Sequence, residues 1–129
     1  MAYCVVLITA PTGEKSAALA KLLVEQKLAA CVNLVPGVKS TYWWEGKVTE
    51  DAEDLLIAKT DKLKVKALVK AVKANHPYSV PEVIALRIKE GNRDYLRWIS
   101  ASLGTPRKKL RVPKGKAKEP RLKEAGLGV

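Results

Sequence analysis

His76, Tyr78 and Glu82 fall within one seven-residue run, His76-Pro77-Tyr78-Ser79-Val80-Pro81-Glu82, and each could do chemistry. An imidazole offers a general base or a metal ligand. A phenol can donate a proton, and a carboxylate can ligate a hard cation. His76 is the only histidine in the chain. Pro77 and Pro81 cannot sit in a helix interior, and each removes a backbone donor from any strand. The residues before them, His76 and Val80, are driven to extended geometry. The segment is therefore a stiff loop bearing polar groups, and stiff loops on a rigid scaffold are where sites are placed. The competing role is a rigid connector with Tyr78 packed and Glu82 solvated.

Other candidates are weaker. Glu50, Asp51, Glu53 and Asp54 put four carboxylates into five residues, a composition that could hold Ca²⁺ or Mg²⁺. On a strand, however, Asp51 and Glu53 face one way and Glu50 and Asp54 the other. No glycine-bearing calcium loop accompanies them, so the stretch reads as solvated or salt-bridged between subunits. The nucleophiles Cys4, Cys31 and Ser79 have no obvious base except His76. No P-loop, GxSxG or HExxH pattern occurs. A His76–Glu82 acid–base pair is the one enzymatic arrangement left open, and the expectation is a protein that is not an enzyme.

At 129 residues the chain is long enough for one domain with a real core. It is 47% hydrophobic yet has no Phe, so Val, Leu, Ile and Ala must fill the interior. Cys4 and Cys31 lie in apolar runs and read as buried free thiols of a reducing, cytoplasmic compartment. The start, Met1-Ala2-Tyr3-Cys4, lacks the basic and apolar regions of a signal peptide. No apolar run is long enough to span a membrane.

The net charge of +11 is uneven. Residues 104–129 hold nine Lys/Arg against two Glu, whereas 1–103 hold fifteen basic against eleven acidic groups. This divides the chain into a domain, 1–103, and a basic tail, 104–129, with the composition of a flexible or loosely docked extension. The tail's functional reading is contact with an anionic partner, nucleic acid or a membrane surface. Its other reading is a solubilising tail. Leu110, Val112, Leu122 and Leu127 are the residues by which it could dock on the body.

The elements that must position these groups alternate. Tyr3 to Thr9 is a β-branched, continuous run, the pattern of a buried central strand. Glu14 to Leu28 follows as a helix with Ala18, Leu19, Leu22, Leu23 and Gln26 at helical spacing. Ala30 to Trp44 and Lys47 to Thr60 are two strands around a Glu45-Gly46 turn. Asp61 is placed to cap a second helix whose Leu63, Ala67, Leu68, Ala71 and Val72 would face inward. Val83 to Ile88 is a fourth strand, and Asp94 to Leu103 a last helix with Tyr95, Leu96, Trp98 and Ile99. The order βαββαβ plus a helix predicts an α+β fold of the ferredoxin-like type.

The two middle strands are too long for such a domain. Fourteen or fifteen residues extend roughly 46–50 Å, against a radius of gyration of about 13 Å for a 100-residue domain. The hairpin must bend, at Pro36-Gly37, or protrude with Tyr42, Trp43 and Trp44 on open strand edges. Edge pairing between subunits is the expected remedy. Two functions that share the βαββαβ order fit poorly. The third strand has no aromatics for stacking RNA bases, and Ala10-Pro11-Thr12-Gly13 has no Arg to hold phosphate.

Ala29-Ala30-Cys31-Val32-Asn33, Tyr42-Trp43-Trp44-Glu45-Gly46, Lys59-Thr60, His76-Pro77-Tyr78 with Pro81-Glu82, and Asp94-Tyr95-Leu96-Arg97-Trp98 together resemble the CutA family of divalent-cation tolerance proteins. The resemblance covers residues 3–103. It implies a PII-like homotrimer built by strand pairing, and a role in tolerance of copper or another divalent metal without catalysis. It also implies ligand clefts between subunits, lined by His76, Tyr78, Pro81, Glu82, Lys59, Trp44 and Cys31. In the copper-binding bacterial form, the ligands are a Cys on the first strand, a His before His-Pro-Tyr and the Glu of Pro-Glu. The matching positions here are Ile8, Asn75 and Glu82. Glu82 is kept, and His76 is the adjacent group that could replace the missing imidazole. Ile has no ligating atom, and Asn is a poor ligand for Cu²⁺ or Zn²⁺. The partners implied are a second and third copy of the chain and a metal ion or small ligand, with nucleic acid only through the tail.

Overall fold

The computed structural model describes residues 2–105. The expectations for the tail beyond Thr105, including docking through Leu110, Val112, Leu122 and Leu127, lie outside the described residues. The elements are β1 (Tyr3–Pro11), α1 (Glu14–Glu25), β2 (Cys31–Trp44), β3 (Lys47–Asp61), α2 (Lys62–Asn75), β4 (Val83–Arg87) and α3 (Arg93–Leu103). The strands form one antiparallel sheet in the order β2-β3-β1-β4. This is the expected α+β, ferredoxin-like arrangement.

Strand alternation sorts the sheet into two faces. Val6, Ile8, Leu56 and Ala58 are wholly buried against Leu19 and Leu23 of α1 and Leu68 and Val72 of α2. Their neighbours in sequence, Val5, Leu7, Leu55 and Ile57, point the other way and stay only half-buried. On that second face α3 covers one end, where Tyr3, Ile99 and Leu103 form a small cluster and the Tyr3 hydroxyl bonds Ser100 Oγ at 2.7 Å. Among the described residues nothing covers the rest of the face, and Ile84 and Leu86 of edge strand β4 are about half exposed.

Several boundaries differ from the sequence pattern. The first helix ends at Glu25 rather than Leu28. Lys27 takes φ 55°, and Lys27 N–H donates to the Val24 carbonyl while Leu28 N–H donates to the Leu23 carbonyl. This is a Schellman stop made with a lysine in the left-handed position usually held by glycine. In α2, Asp61 caps as expected, accepting Leu63 N–H at 2.9 Å. That start rotates Leu63 and Ala67 to solvent and leaves Leu68 and Val72 as the buried pair. Asn92, read as part of a turn, is the N-cap of α3 through Asp94 N–H.

The long hairpin both bends and protrudes. The β2–β3 register slips between Val35 and Val38, with Gly37 at φ 68°, a bulge at the predicted Pro36-Gly37. Beyond it, Val38–Trp44 and Lys47–Glu53 pair as a ribbon standing off the core, with Trp43 73% and Trp44 59% exposed. Glu45 and Gly46 close it with both φ values positive, the turn whose twist matches paired strands.

Candidate functional site

The proline loop leaves the end of α2 and crosses back to the end of β1. His76, half-buried, is held at both ring nitrogens. A carbonyl can only accept, so the 2.8 Å contact to the Thr9 carbonyl makes Nε2 the protonated nitrogen. Nδ1 then accepts Tyr78 N–H at 3.1 Å. The ring is thereby set as the neutral Nε2–H tautomer, with its one lone pair turned toward its own loop. Tyr78 lies beside it with ring centroids 4.7 Å apart.

Tyr78 extends the chain of contacts to β3. Its hydroxyl donates to Glu53 Oε2 at 3.1 Å. Burial is the main force holding the Tyr78 phenol in its protonated form, with the Glu53 bond and the Glu53 and Asp51 charges adding to it, so its pKa is pushed up to about 12. One ladder step outward, the Tyr42 hydroxyl donates to Asp51 at 3.0 Å, which raises the Tyr42 pKa. Glu82 is exposed at the start of β4, and the Thr9 hydroxyl points to its carboxylate at 3.5 Å, the limit of a hydrogen bond.

The acidic stretch departs from its expected solvated character. Glu50 and Asp51 are exposed, but Glu53 is 7% and Asp54 3% exposed. Asp54 Oδ2 accepts Ser16 Oγ at 2.5 Å and Gly13 N–H at 3.2 Å, and Oδ1 accepts Gly37 N–H at 3.1 Å. These bonds, that of Ser16 foremost, lower the Asp54 pKa. Glu50 pairs with Lys39 across the same hairpin at 3.9 Å. Asp54 thus ties α1, the bulge and β3 together. Its partners lie 17 to 41 residues away, so no local motif announces it.

The remaining predicted lining residues are spread along the sheet. Lys59 and Cys31 are opposite one another on β3 and β2, and Lys59 Nζ donates to Asn33 Oδ1. Cys31 is half-buried rather than buried, next to Tyr95, whose phenol burial pushes up to about 12 with the Cys31 contact adding to it. This pair sits at the Val5 level of the sheet, four residues or about 13 Å from Thr9 and Glu82. Trp44 is farther still, at the hairpin tip opposite Lys47. Within one protomer, then, His76, Tyr78 and Glu82 share the region of Thr9, Pro81 stands half-buried between them in sequence, and Lys59, Cys31 and Trp44 lie elsewhere.

The two positions matched to metal ligands are accounted for. Ile8 is wholly buried in the core. Asn75 donates Nδ2–H to the Ala71 carbonyl at 2.8 Å and lines a shallow groove of ≈ 320 Å³ with Glu14, Lys15, Ala18, Leu19 and Leu22. Among the described residues no three His, Cys, Asp or Glu side chains converge as a ligand cluster. No helix among them is long and apolar enough to cross a membrane. Sequence reasoning missed Thr9 and Ser16, and it read Glu53 and Asp54 as solvated or salt-bridged where they are the buried acceptors that fix the loop and the bulge.

Comparison with known proteins places this geometry in a family. A family model described as CutA1 divalent ion tolerance protein matches residues 4–102. The chain is 57% identical over 98 residues to the chloroplastic Protein CutA 1 of Oryza sativa, covering 76% of this chain and 55% of that protein. It is 54% identical over 100 residues to the divalent-cation tolerance protein CutA of Thermus thermophilus, covering 78% of this chain and 97% of that protein. The chain therefore spans about half the length of the rice relative and nearly all of the bacterial one. The crystal structure of CutA1 from Oryza sativa matches with a TM-score of 0.77 at 55% identity, over 79% of this chain and 94% of that one. The matched span takes in β2, β3 and β4 whole and all but one end residue of β1 and of α3, and on it the chain belongs to the CutA1 divalent ion tolerance family.

Proposed function

We propose that this protein serves divalent-cation tolerance as a non-enzymatic homotrimer that holds a divalent metal, copper or another, or a small ligand in clefts between its subunits. The observation that carries the reading is the uncovered half of the sheet. Val5, Leu7, Leu55, Ile57, Val35, Ile84 and Leu86 form one apolar face that no element among the described residues covers, beside a hairpin that exposes two tryptophans. Exposed apolar faces and open strand edges of this kind are covered by partners. Assembly through that face brings the Glu82 region of one protomer toward the Lys59, Cys31 or Trp44 regions of others. That supports a ligand site composed from several subunits, which one protomer alone does not contain.

Glu82 is the exposed carboxylate such a site would use. His76 can join only if Tyr78 N–H releases Nδ1 or the ring leaves the Thr9 carbonyl and frees Nε2, so metal binding there is coupled to a shift of the proline loop. The same double anchoring of His76 supports a non-enzymatic role, since the imidazole is occupied by backbone on both sides. Free Cys4 and Cys31 support a reducing, cytoplasmic setting.

The test is calorimetric titration of metal-free protein with Cu²⁺ and Zn²⁺, beside Glu82→Gln and His76→Ala, with mass measured by light scattering. Trimer mass and binding tighter than about 1 μM, about −8.2 kcal/mol, that is lost in Glu82→Gln support the reading. Weak binding unaltered in both variants rejects the metal role of the loop.

A further inference from the structure

Lys59 is a cation set into an apolar face. Strand alternation puts it on the helix-free side of β3 with Leu55 and Ile57, opposite Val5 of β1, and it is half-buried there. Among the described residues no carboxylate is within ion-pair distance of it. Its Nζ donates to Asn33 Oδ1, a neutral acceptor, which uses one of the three donors of an ammonium. A charge drawn partly out of water without a counter-ion is costly, so the position calls for an anion.

The groups around Lys59 are donors. Cys31 is directly opposite it on β2, with Cβ atoms about 5 Å apart, and Asn33 is its diagonal neighbour on the same face. Because Asn33 Oδ1 accepts from the lysine, the Nδ2 end of that amide is left for a ligand. The Tyr95 hydroxyl reaches Cys31, and burial, with that contact adding to it, pushes its pKa up to about 12, so it stays a donor. Sulfur is a weak acceptor, so the hydroxyl gains by turning to a better one. The carboxylates nearest in sequence are committed elsewhere: Asp61 caps α2, and exposed Asp94 faces Arg97. Apolar surface adjoins the donors, with Val5 opposite Lys59, Ile57 opposite Asn33 and the Trp98 ring 5.4 Å from that of Tyr95. β2 is an edge strand, so the cluster sits at the rim of the face.

We propose that Lys59, Asn33 and Tyr95 bind the carboxylate of a small organic acid. The proposal rests on the reading above that a ligand sits beside Lys59 and Cys31, and it names that ligand's class. A singly charged head matches a single ammonium. The two carboxylate oxygens accept from the ammonium and the amide side by side, with the Tyr95 hydroxyl completing the set. The acid's apolar part lies along Val5 and Ile57. A phosphate ester fits less well, since it brings a charge of about −1.5 to −2 to one lysine, and the neighbouring Arg97 already faces Asp94.

The experiment is an amide NMR titration of the full chain with butyrate, with butyramide as the uncharged control and inorganic phosphate as the competing class. Circular dichroism and light scattering follow folding and mass. Butyrate should give saturable shifts at Cys31, Asn33, Lys59 and Tyr95, and butyramide none. Lys59→Met should weaken binding about ten-fold or more, the loss expected of one charge-assisted bond. Tyr95→Phe should weaken it about five-fold, and Lys59→Arg, which keeps the charge, should retain most of it. No saturable shift in the wild type, or equal affinity in Lys59→Met, overturns the proposal. Phosphate bound as tightly as butyrate overturns the carboxylate class. A fall of Lys59→Met to the single-chain mass, with Lys59→Arg still assembled, overturns it as well, because the counter-ion of Lys59 is then a carboxylate of another subunit. Failure of butyrate binding with trimer mass and Glu82-dependent metal binding intact leaves the proposed function standing, so the two readings fail separately.

Discussion

Asp54 on β3 accepts the Ser16 hydroxyl of α1 at 2.5 Å, while its second oxygen holds the Gly37 N–H of the β2 bulge. One buried carboxylate therefore fixes both the entry of the first helix and the point where the long hairpin leaves the core. Ser16→Ala removes one donor and should cost about 1–2 kcal/mol in urea unfolding. Asp54→Ala should cost more, because it takes the acceptor from two backbone N–H groups at once and leaves the Ser16 hydroxyl with the Gly13 carbonyl alone. The pH dependence has a definite sign. The folded pKa of Asp54 lies below the unfolded 3.8, so its stabilisation is present above pH 3.8 and is lost as pH falls through the folded value. Asp54→Asn should flatten the acid limb of stability measured by urea midpoints below about pH 4.

Tyr78 gives the opposite limb. Its folded pKa is about 12 against an unfolded 10.0, so the contribution is complete below pH 10.0 and is lost as pH rises through about 12. Tyr78→Phe should remove that alkaline dependence in a spectrophotometric titration of stability. At neutral pH it should cost about 1–3 kcal/mol, because buried Glu53 loses its donor. His76 should keep its Nε2–H tautomer in this variant, since its partners are the Thr9 carbonyl and the backbone N–H of residue 78, a pattern that nitrogen chemical shifts report.

Much of the fold was legible because it depends on local signals. The β-branched run of β1, Asp61 before α2 and Pro36-Gly37 within β2 each state their role within a few residues. The stop after Glu25 was not legible, since the sequence offers no glycine there and only the fold tolerates Lys27 at positive φ. The site was half legible. The two prolines announce a stiff loop, but its anchors Thr9 and Glu53 are 67 and 25 residues away from His76 and Tyr78 respectively. Strand alternation correctly split the four carboxylates between faces, yet it could not show that Glu53 and Asp54 would be buried. That depends on which donors the rest of the chain brings to them.

Lys27 and Glu45 are the non-glycine residues in left-handed conformation among those described. A side chain there costs about 1 kcal/mol relative to glycine in the folded state, partly offset by the extra freedom glycine gives the unfolded chain. Lys27→Gly should therefore stabilise by about 0.5 kcal/mol, and Glu45→Asn, which creates the Asn-Gly turn favoured in hairpins, by a similar amount. The sites lie at opposite ends of β2, one in the Schellman stop and one at the hairpin tip. Their effects should add in the thermal midpoint of the double variant.

Ile84 and Leu86 test the assembly directly. They are 49% and 50% exposed in the protomer and lie opposite Leu7 and Val5 on the apolar face. Neither belongs to the buried cluster under the helices, so charge there should leave the protomer folded. Ile84→Lys/Leu86→Lys should shift the mass seen by light scattering from the assembled to the single-chain value, with circular dichroism unchanged. The same variant should lose any metal affinity that depends on residues from several subunits, even though Glu82 and His76 are untouched. A variant that stays assembled would mean that the β4 edge of this face is not the contact. Loss of mass with metal affinity intact would place the ligand site within one chain, against the separation of Glu82 from Lys59 and Cys31 along the sheet.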